Sequence, residues 1–255
     1  MGRRSQTARK EICDSCKKKL KLWVASDSIG QNYDNAYYPQ SGWGQMLQDN
    51  LFSSAVSVEN RAVGSRSSKS FINEGRLTAI MNEAESGDYL LVSFAFNDFT
   101  DVEARMALTG RAETDINGYK YWLKKYIDAC SEKGVILVFV TAPPTYNNEG
   151  KKLGAYADEM KQMAEQYRIP VIDVYSKINA LDTEIAKGYY MIFNKSDYAN
   201  DDVFNTQSRY KGLCDSSADG SYKDVIHFRK EGAAAIAEYI TDGLRNLSVI
   251  GNYVK

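Results

Sequence analysis

The sequence predicts an α/β protein of three layers, α/β/α, built on a parallel sheet. From residue 20 onward, short apolar runs alternate with longer amphipathic stretches. Several of the runs are nearly continuous Val, Ile, Leu and Phe, as expected of strands covered on both faces. The stretches between them carry apolar residues at helical spacing, and strand alternating with helix favours parallel pairing through crossover helices.

The candidate strands are Leu20–Ala25, Ala55–Glu59, Tyr89–Phe94, Val135–Val140 and Pro170–Val174. Trp122, Leu123, Tyr126, Ile127 and Cys130 share a helical face ahead of a stop at Gly134. Leu153, Tyr156, Ala157, Met160, Met163, Ala164 and Tyr167 form a second stripe, and Ala233, Ile236, Ala237, Ile240 and Leu244 line the last helix. Each stripe reads as packing against the sheet. Tyr189–Lys223 breaks the rhythm, being rich in Asp, Asn, Ser, Gly and Tyr. It reads as a long connection of the functional or mobile kind.

Composition narrows the function classes. The 255 residues are 44% hydrophobic and 25% charged with a net charge of −1, which suits one globular domain and supplies no field for nucleic acid. No apolar run approaches the ~20 residues that span a bilayer. Residues 20–250 read as a single domain, preceded by a basic leader over 1–19 with no secretory h-region, read as solvated and partly disordered. The one histidine, His227, rules out a multi-histidine metal site, and Cys13 and Cys16 form a lone C-x-x-C with no second pair.

In open parallel sheets, ligands sit beyond the carboxyl ends of the strands. After the first strand stands Ser26-Asp27-Ser28-Ile29-Gly30, after the second Asn60–Ser67, after the third Ala95-Phe96-Asn97-Asp98, and before the last helix Asp224-Val225-Ile226-His227-Phe228. A serine needs an imidazole to take its proton, and the imidazole needs an acid to fix its tautomer. Ser28, His227 and Asp224 are the candidates. An oxyanion needs preset donors. The Asn97 side chain and the backbone N–H groups of Ser28 and of Gly64 or Ser65 can supply them. Asp27 reads as ordering the turn beneath Ser28, and Arg66, Ser67, Ser70, Glu74 and Arg76 as a hydrogen-bonded scaffold. Trp43 reads as packed against the first helix. Tyr33, Tyr37, Tyr38, Tyr198 and Tyr210 lie in segments poor in aliphatics, where flat exposed rings would stack on sugars.

These blocks, Asp-Ser, N-x-A-x-x-x-R-S, N-D and D-x-x-H in that order, resemble the SGNH (GDSL-type) hydrolase superfamily. Gly42-Trp43-Gly44, the run Asn60–Glu74 with Gly75-Arg76, and Gly87-Asp88-Tyr89 are similar to its rhamnogalacturonan acetylesterase branch. The resemblance spans about residues 20 to 245. It implies a flavodoxin-like five-stranded sheet. It implies Ser28 as nucleophile with Asp224 and His227, Asn97 as an oxyanion donor, and removal of acetyl groups from plant cell-wall polysaccharide without cofactor or metal. The expected partner is an acetylated oligo- or polysaccharide, with no nucleic acid and no membrane; oligomeric state is open. The chain departs from the pattern in three places. Ser26 replaces a glycine and would crowd the turn, Ser65 replaces another, and Phe96 stands where many relatives of this branch have His. The alternatives are an esterase or lipase for small or acyl-chain esters, with residues 100–114 and 189–223 shaping its pockets, and a non-catalytic carbohydrate-binding relative. Either an extracellular polysaccharide or imported fragments inside the cell would fit.

Overall fold

The computed structural model describes residues 19–99, 116–149 and 153–255. The elements run β1 (Leu20–Ser26), β2 (Gln40–Ser41), α1 (Trp43–Met46), β3 (Val56–Asn60), α2 (Ser68–Asn73), α3 (Arg76–Glu83), β4 (Tyr89–Ser93), α4 (Ile116–Lys133) and β5 (Ile136–Val140). They continue with α5 (Gly154–Tyr167), β6 (Val171–Ile172), α6 (Val174–Asn179), α7 (Thr183–Tyr189), β7 (Tyr190–Asn194), α8 (Asp202–Thr206), α9 (Arg209–Asp215), β8 (Ser221–Arg229) and α10 (Lys230–Leu244). Most of the basic leader, with Cys13 and Cys16, and the whole expected pocket segment 100–114 lie outside the described residues. No helix among the described residues is long and apolar enough to cross a membrane.

Five strands form one parallel sheet in the order β3-β1-β4-β5-β6, the flavodoxin-like arrangement expected. The chain starts in β1, moves to its β3 neighbour, then crosses to β4 on the other side. The two loops leaving β1 and β4 therefore flank the point where the strand order reverses, which is where such sheets leave a crevice. β4 is buried along its whole length, as its continuous Tyr-Leu-Leu-Val run requires. The last-helix stripe Ala233, Ile236, Ala237, Ile240 and Leu244 is fully buried on the sheet. The other two stripes fray at one position each: Tyr167 is exposed and Trp122 only half-buried.

Two expectations need correction. The fifth strand is Val171–Ile172 alone, because the Asp173 side chain accepts the Ser176 N–H at 3.1 Å and starts α6 at Val174. Tyr189–Lys223 is no loose connection. It holds β7, α8 and α9, and β7 pairs antiparallel with β8 in a second sheet of order β2-β8-β7. Aromatic rings stand in for aliphatics: Met191, Phe193, Phe204, Tyr210 and Cys214 make a small core of their own, with Tyr38, Tyr198 and Tyr222 packed against it. Tyr198 stacks on Phe204 at 4.8 Å and Tyr210 is buried, so these two rings build structure and do not present flat faces to solvent. Trp43 is the first residue of α1, fully buried where that helix meets α10.

At the lower edge of the main sheet, buried Asp88 accepts Lys21 N–H at 3.0 Å, Glu85 N–H at 2.9 Å and the Trp23 indole N–H at 3.3 Å. It pins β1 to the turn that starts β4. Asp88→Ala leaves three donors unmet and should destabilise the fold by about 3 kcal/mol in urea denaturation, with Asp88→Asn losing less. A loss below roughly 1 kcal/mol for the alanine variant would mean water replaces the carboxylate at no cost.

Candidate active site

The site is assembled at the carboxyl ends of β1, β3 and β4 by loops, and β8 closes it from the second sheet. Beyond β1 the Asp27 carbonyl accepts the N–H groups of Gly30 and Gln31, both at 3.1 Å, which winds residues 27–31 into a single helical turn carrying Ser28. Ser26 does not crowd this turn. Its hydroxyl donates to the Ser93 carbonyl at 2.9 Å, and the space is supplied by Gly30, where a Cβ would lie 2.7 Å from both Ser26 Cβ and Ser26 Oγ. Asn60 braces the turn from β3, donating to the Gly30 carbonyl at 2.8 Å. Tyr33 donates its phenolic O–H to the Ser28 carbonyl at 2.8 Å, and burial together with the nearby Asp27 charge keeps that phenol protonated.

Ser28 Oγ lies 2.9 Å from His227 Nε2. On the other side of the ring, Nδ1–H donates to Asp224 Oδ2 at 2.7 Å. Asp224 and His227 are three apart in β8, and in a regular strand they would face opposite sides of the sheet. A break in register removes the problem. Met191 pairs with Asp224 while its neighbour Tyr190 pairs with Phe228, so Val225–His227 bulge out of the ladder. Asp224 Oδ1 collects the bulge, accepting Ile226 N–H at 2.8 Å and His227 N–H at 3.1 Å. Burial acts to raise the Asp224 pKa, but the His227 hydrogen bond and charge with these two N–H groups outweigh it and hold the carboxyl below its ordinary range.

The expected oxyanion donors divide. The Ser28 N–H has no partner among the described residues. Ser65 takes the left-handed conformation at φ 66°, which a glycine adopts more readily. The Gly64 N–H is already donated to Gln31 Oε1. Asn97 Nδ2 donates to Asp27 Oδ2 and to the Arg66 carbonyl, each at 3.1 Å, so both its hydrogens are in use. Gly64 and Asn97 can serve an oxyanion only by giving up these bonds. The Arg66 scaffold forms as expected: its Nε meets both Glu74 oxygens at 3.1 Å, Arg76 reaches the same carboxylate, and Ser67 and Ser70 cap α2 reciprocally.

Beneath this lies a polar layer that sequence reasoning only touched. Asp27 is buried and its pKa is pushed up to about 6 by loss of water, against the opposing pull of the Ile29 N–H, the His227 charge and Asn97. Asp98 is fully buried, accepts the Ser68 N–H and hydroxyl, and is pushed up to about 7 by burial. The neighbouring residues Asn97 and Asp98 and the three-serine run at 67, 68 and 70 were the available signal.

With this geometry in place, the chain is assigned to a class. The model of the GDSL-like lipase/acylhydrolase family matches residues 27–235, and the protein belongs to that family; it is a carboxylic ester hydrolase of the GDSL type. Among its relatives, the rhamnogalacturonan acetylesterase RhgT of Bacillus subtilis (strain 168) is 30% identical over 91% of this chain and 93% of its own length. The probable rhamnogalacturonan acetylesterase YesY of the same strain is 31% identical over 89% of this chain and 94% of its own. Two solved structures share the fold. Protein YxiM of Bacillus subtilis superposes with a TM-score of 0.67 at 20% identity over 92% of this chain, which spans 58% of that one. A lipolytic G-D-S-L family member from Veillonella parvula DSM 2008 gives 0.60 at 17% identity, covering 89% of this chain and all (100%) of that one.

Asp98 and Asp27 make a stability prediction with a definite sign. Their folded pKa values of about 7 and about 6 lie above the ordinary 3.8, so the native state keeps protons that the unfolded chain releases. Their contribution is full below pH ~4 and is lost as pH rises to about 7. Asp98→Asn removes one of the two titrations. Stability of wild type should fall relative to this variant between pH 4 and 7, at most by about 1.4 kcal/mol per pH unit. Parallel chemical-denaturation curves for the two proteins across that range would show that Asp98 does not hold a proton in the fold.

Proposed function

We propose that the protein is a serine esterase that removes O-acetyl groups from carbohydrate, with acetylated pectic polysaccharide of the rhamnogalacturonan type as substrate. The observation that carries the mechanism is the relay Ser28 Oγ–His227 Nε2 at 2.9 Å and His227 Nδ1–Asp224 Oδ2 at 2.7 Å. A carboxylate can only accept, so Nδ1 carries the proton and Nε2 is left basic toward the serine. Ser28 Oγ attacks the acetyl carbonyl as its proton passes to His227 Nε2, and Asp224 stabilises the imidazolium. His227 then returns the proton to the departing sugar hydroxyl. Water, deprotonated by the same nitrogen, attacks the acetyl-Ser28 ester and releases acetate. The substrate class is supported by the relatives' acetylesterase names and by alignments spanning nearly the whole of both chains.

The test is acetate release from p-nitrophenyl acetate, acetylated rhamnogalacturonan and acetylated xylan by wild type and Ser28→Ala. We expect turnover of the first two, preference for the pectic polymer over xylan, and a fall of roughly 10³-fold or more in the mutant. Activity that survives Ser28→Ala would remove Ser28 as nucleophile. A folded wild type that binds the polymer without releasing acetate would make the chain a carbohydrate-binding relative.

A further inference from the structure

We propose that Arg209 and Tyr37 form a subsite for a uronic acid residue of the substrate, with the Arg209 guanidinium receiving its carboxylate. This subsite rests on the deacetylase reading above and deepens it, since a pectic chain of the rhamnogalacturonan type carries uronate residues.

Three contacts run from the nucleophile to the guanidinium. Tyr33 donates its hydroxyl to the Ser28 carbonyl at 2.8 Å. Its ring meets that of Tyr37 with centroids 5.3 Å apart. Arg209 Cζ lies over the Tyr37 ring, 5.2 Å from the centroid. The charge is also felt on the acid side of the relay. Burial is the first influence raising the Tyr210 and Tyr222 phenols; the Asp224 carboxylate raises each further, and the Arg209 guanidinium lowers each. Arg209 and Asp224 thus act on the same two rings.

The guanidinium is held in place while its donors stay unspent. Arg61, Arg66, Arg76 and Arg245 each meet a carboxylate. Arg209 is exposed and has neither a carboxylate nor a hydrogen bond among the described residues. Its helix gains nothing from it, because Arg209 is the first residue of α9, where a cation opposes the helix dipole. Its backbone is nevertheless tied to the Ser28 side. Asn35 Nδ2 donates to Gln207 Oε1 at 3.1 Å, the Ser208 hydroxyl to the Tyr38 carbonyl, and the Tyr210 hydroxyl to Gln40 Oε1. These bonds flank Arg209 on both sides in sequence, and the ring beneath it restricts its rotamers. A planar fork so held loses little entropy on taking a carboxylate through two parallel N–H···O bonds.

The same two segments line an open cavity of about 510 Å³, through Asp34, Asn35, Ala36 and Gln207. That volume falls within the range of small-molecule sites. The amides suit sugar hydroxyls. Asp34, whose Oδ1 accepts the Ala36 N–H at 3.0 Å, repels a uronate carboxylate and leaves Arg209 to take it.

The experiment measures kcat and KM for ester cleavage by wild type, Arg209→Met and Arg209→Lys. The substrates are an acetylated rhamnogalacturonan oligosaccharide, the same oligosaccharide with its carboxyls methyl-esterified, and p-nitrophenyl acetate. Arg209→Met keeps a stem over Tyr37 and removes the charge. Set against its own change on p-nitrophenyl acetate, it should raise KM on the acidic oligosaccharide roughly 10- to 100-fold with kcat little altered. Methyl esterification should cost the wild type a similar factor and the Met variant almost nothing. Arg209→Lys, a charge without the fork, should fall between. A wild type that treats acidic and esterified oligosaccharides alike overturns the subsite. So does an Arg209→Met loss of equal size on p-nitrophenyl acetate, which would make Arg209 a partner of Asp224 and not of substrate. Calorimetry of the deacetylated acidic oligosaccharide on Ser28→Ala, with and without Arg209→Met, reads the subsite without turnover, and equal affinities overturn it. A wild type that releases no acetate from any substrate sinks the esterase reading instead, and calorimetry still decides the subsite. Should Arg209→Met fail to fold, Arg209→Lys and the wild-type comparison of the two oligosaccharides decide.

Discussion

The hydrogen bond between Ser28 and His227 joins residues 199 positions apart that belong to two different sheets. Its 2.9 Å length sets the tolerance for everything around it, since a shift of 1 Å would break it. Several connections hold β8 in place. β2, which follows the Ser28 turn in sequence, pairs directly with β8 at Gln40–Arg229 and Ser41–Phe228. Lys230 N–H reaches back to the Pro39 carbonyl at 3.1 Å. Tyr190 packs its ring on Phe228 at 4.6 Å and donates its hydroxyl to the Pro144 carbonyl at 2.6 Å, anchoring the small sheet to the loop beyond β5. The aromatic second core is thus a rigid arm that carries one imidazole to the edge of the main sheet.

The three loops on the main sheet need a matching constraint, and the buried amide of Asn97 supplies it. It ties Asp27 after β1 to the Arg66 carbonyl after β3 while itself following β4. Asp98, next in the chain, takes the N–H and hydroxyl of Ser68 at the start of α2. Burying two carboxylates so close is unfavourable, and the raised pKa values of both record that cost. What the arrangement provides is position. Asp27 directs its carbonyl to the turn and its carboxylate to Ile29 N–H and Asn97, so the peptide on either side of Ser28 cannot rotate freely.

The main sheet was legible because its strands are continuous apolar runs with one meaning, and Ser28, Asp224 and His227, which the structure brings together, because they stand after the first strand and in a D-x-x-H block before the last helix. The small sheet was not legible. Its hydrophobic content is tyrosine and phenylalanine set among Asp, Asn and Ser, and composition reads such a segment as loop although the rings bury one another. The D-x-x-H block was read only as lying before the last helix, and the structure sets it on a bulge in a long strand. The hydrogen bond of Gln31 to the Gly64 N–H could not be read at all. Nothing in its type distinguishes it from a surface residue until the Gly64 loop is folded over it.

The departures at Ser26 and Ser65 follow from where small size and left-handed backbone are each required. A glycine can meet both demands at one position, but here they are separated. On the first strand, Ser26 keeps its side chain by bonding the Ser93 carbonyl, and Gly30 gives up the volume one turn later. On the second loop, Ser65 takes the positive φ at a cost on the order of 1 kcal/mol, and a Cβ at Gly64 would lie 2.8 Å from the Gln31 oxygen.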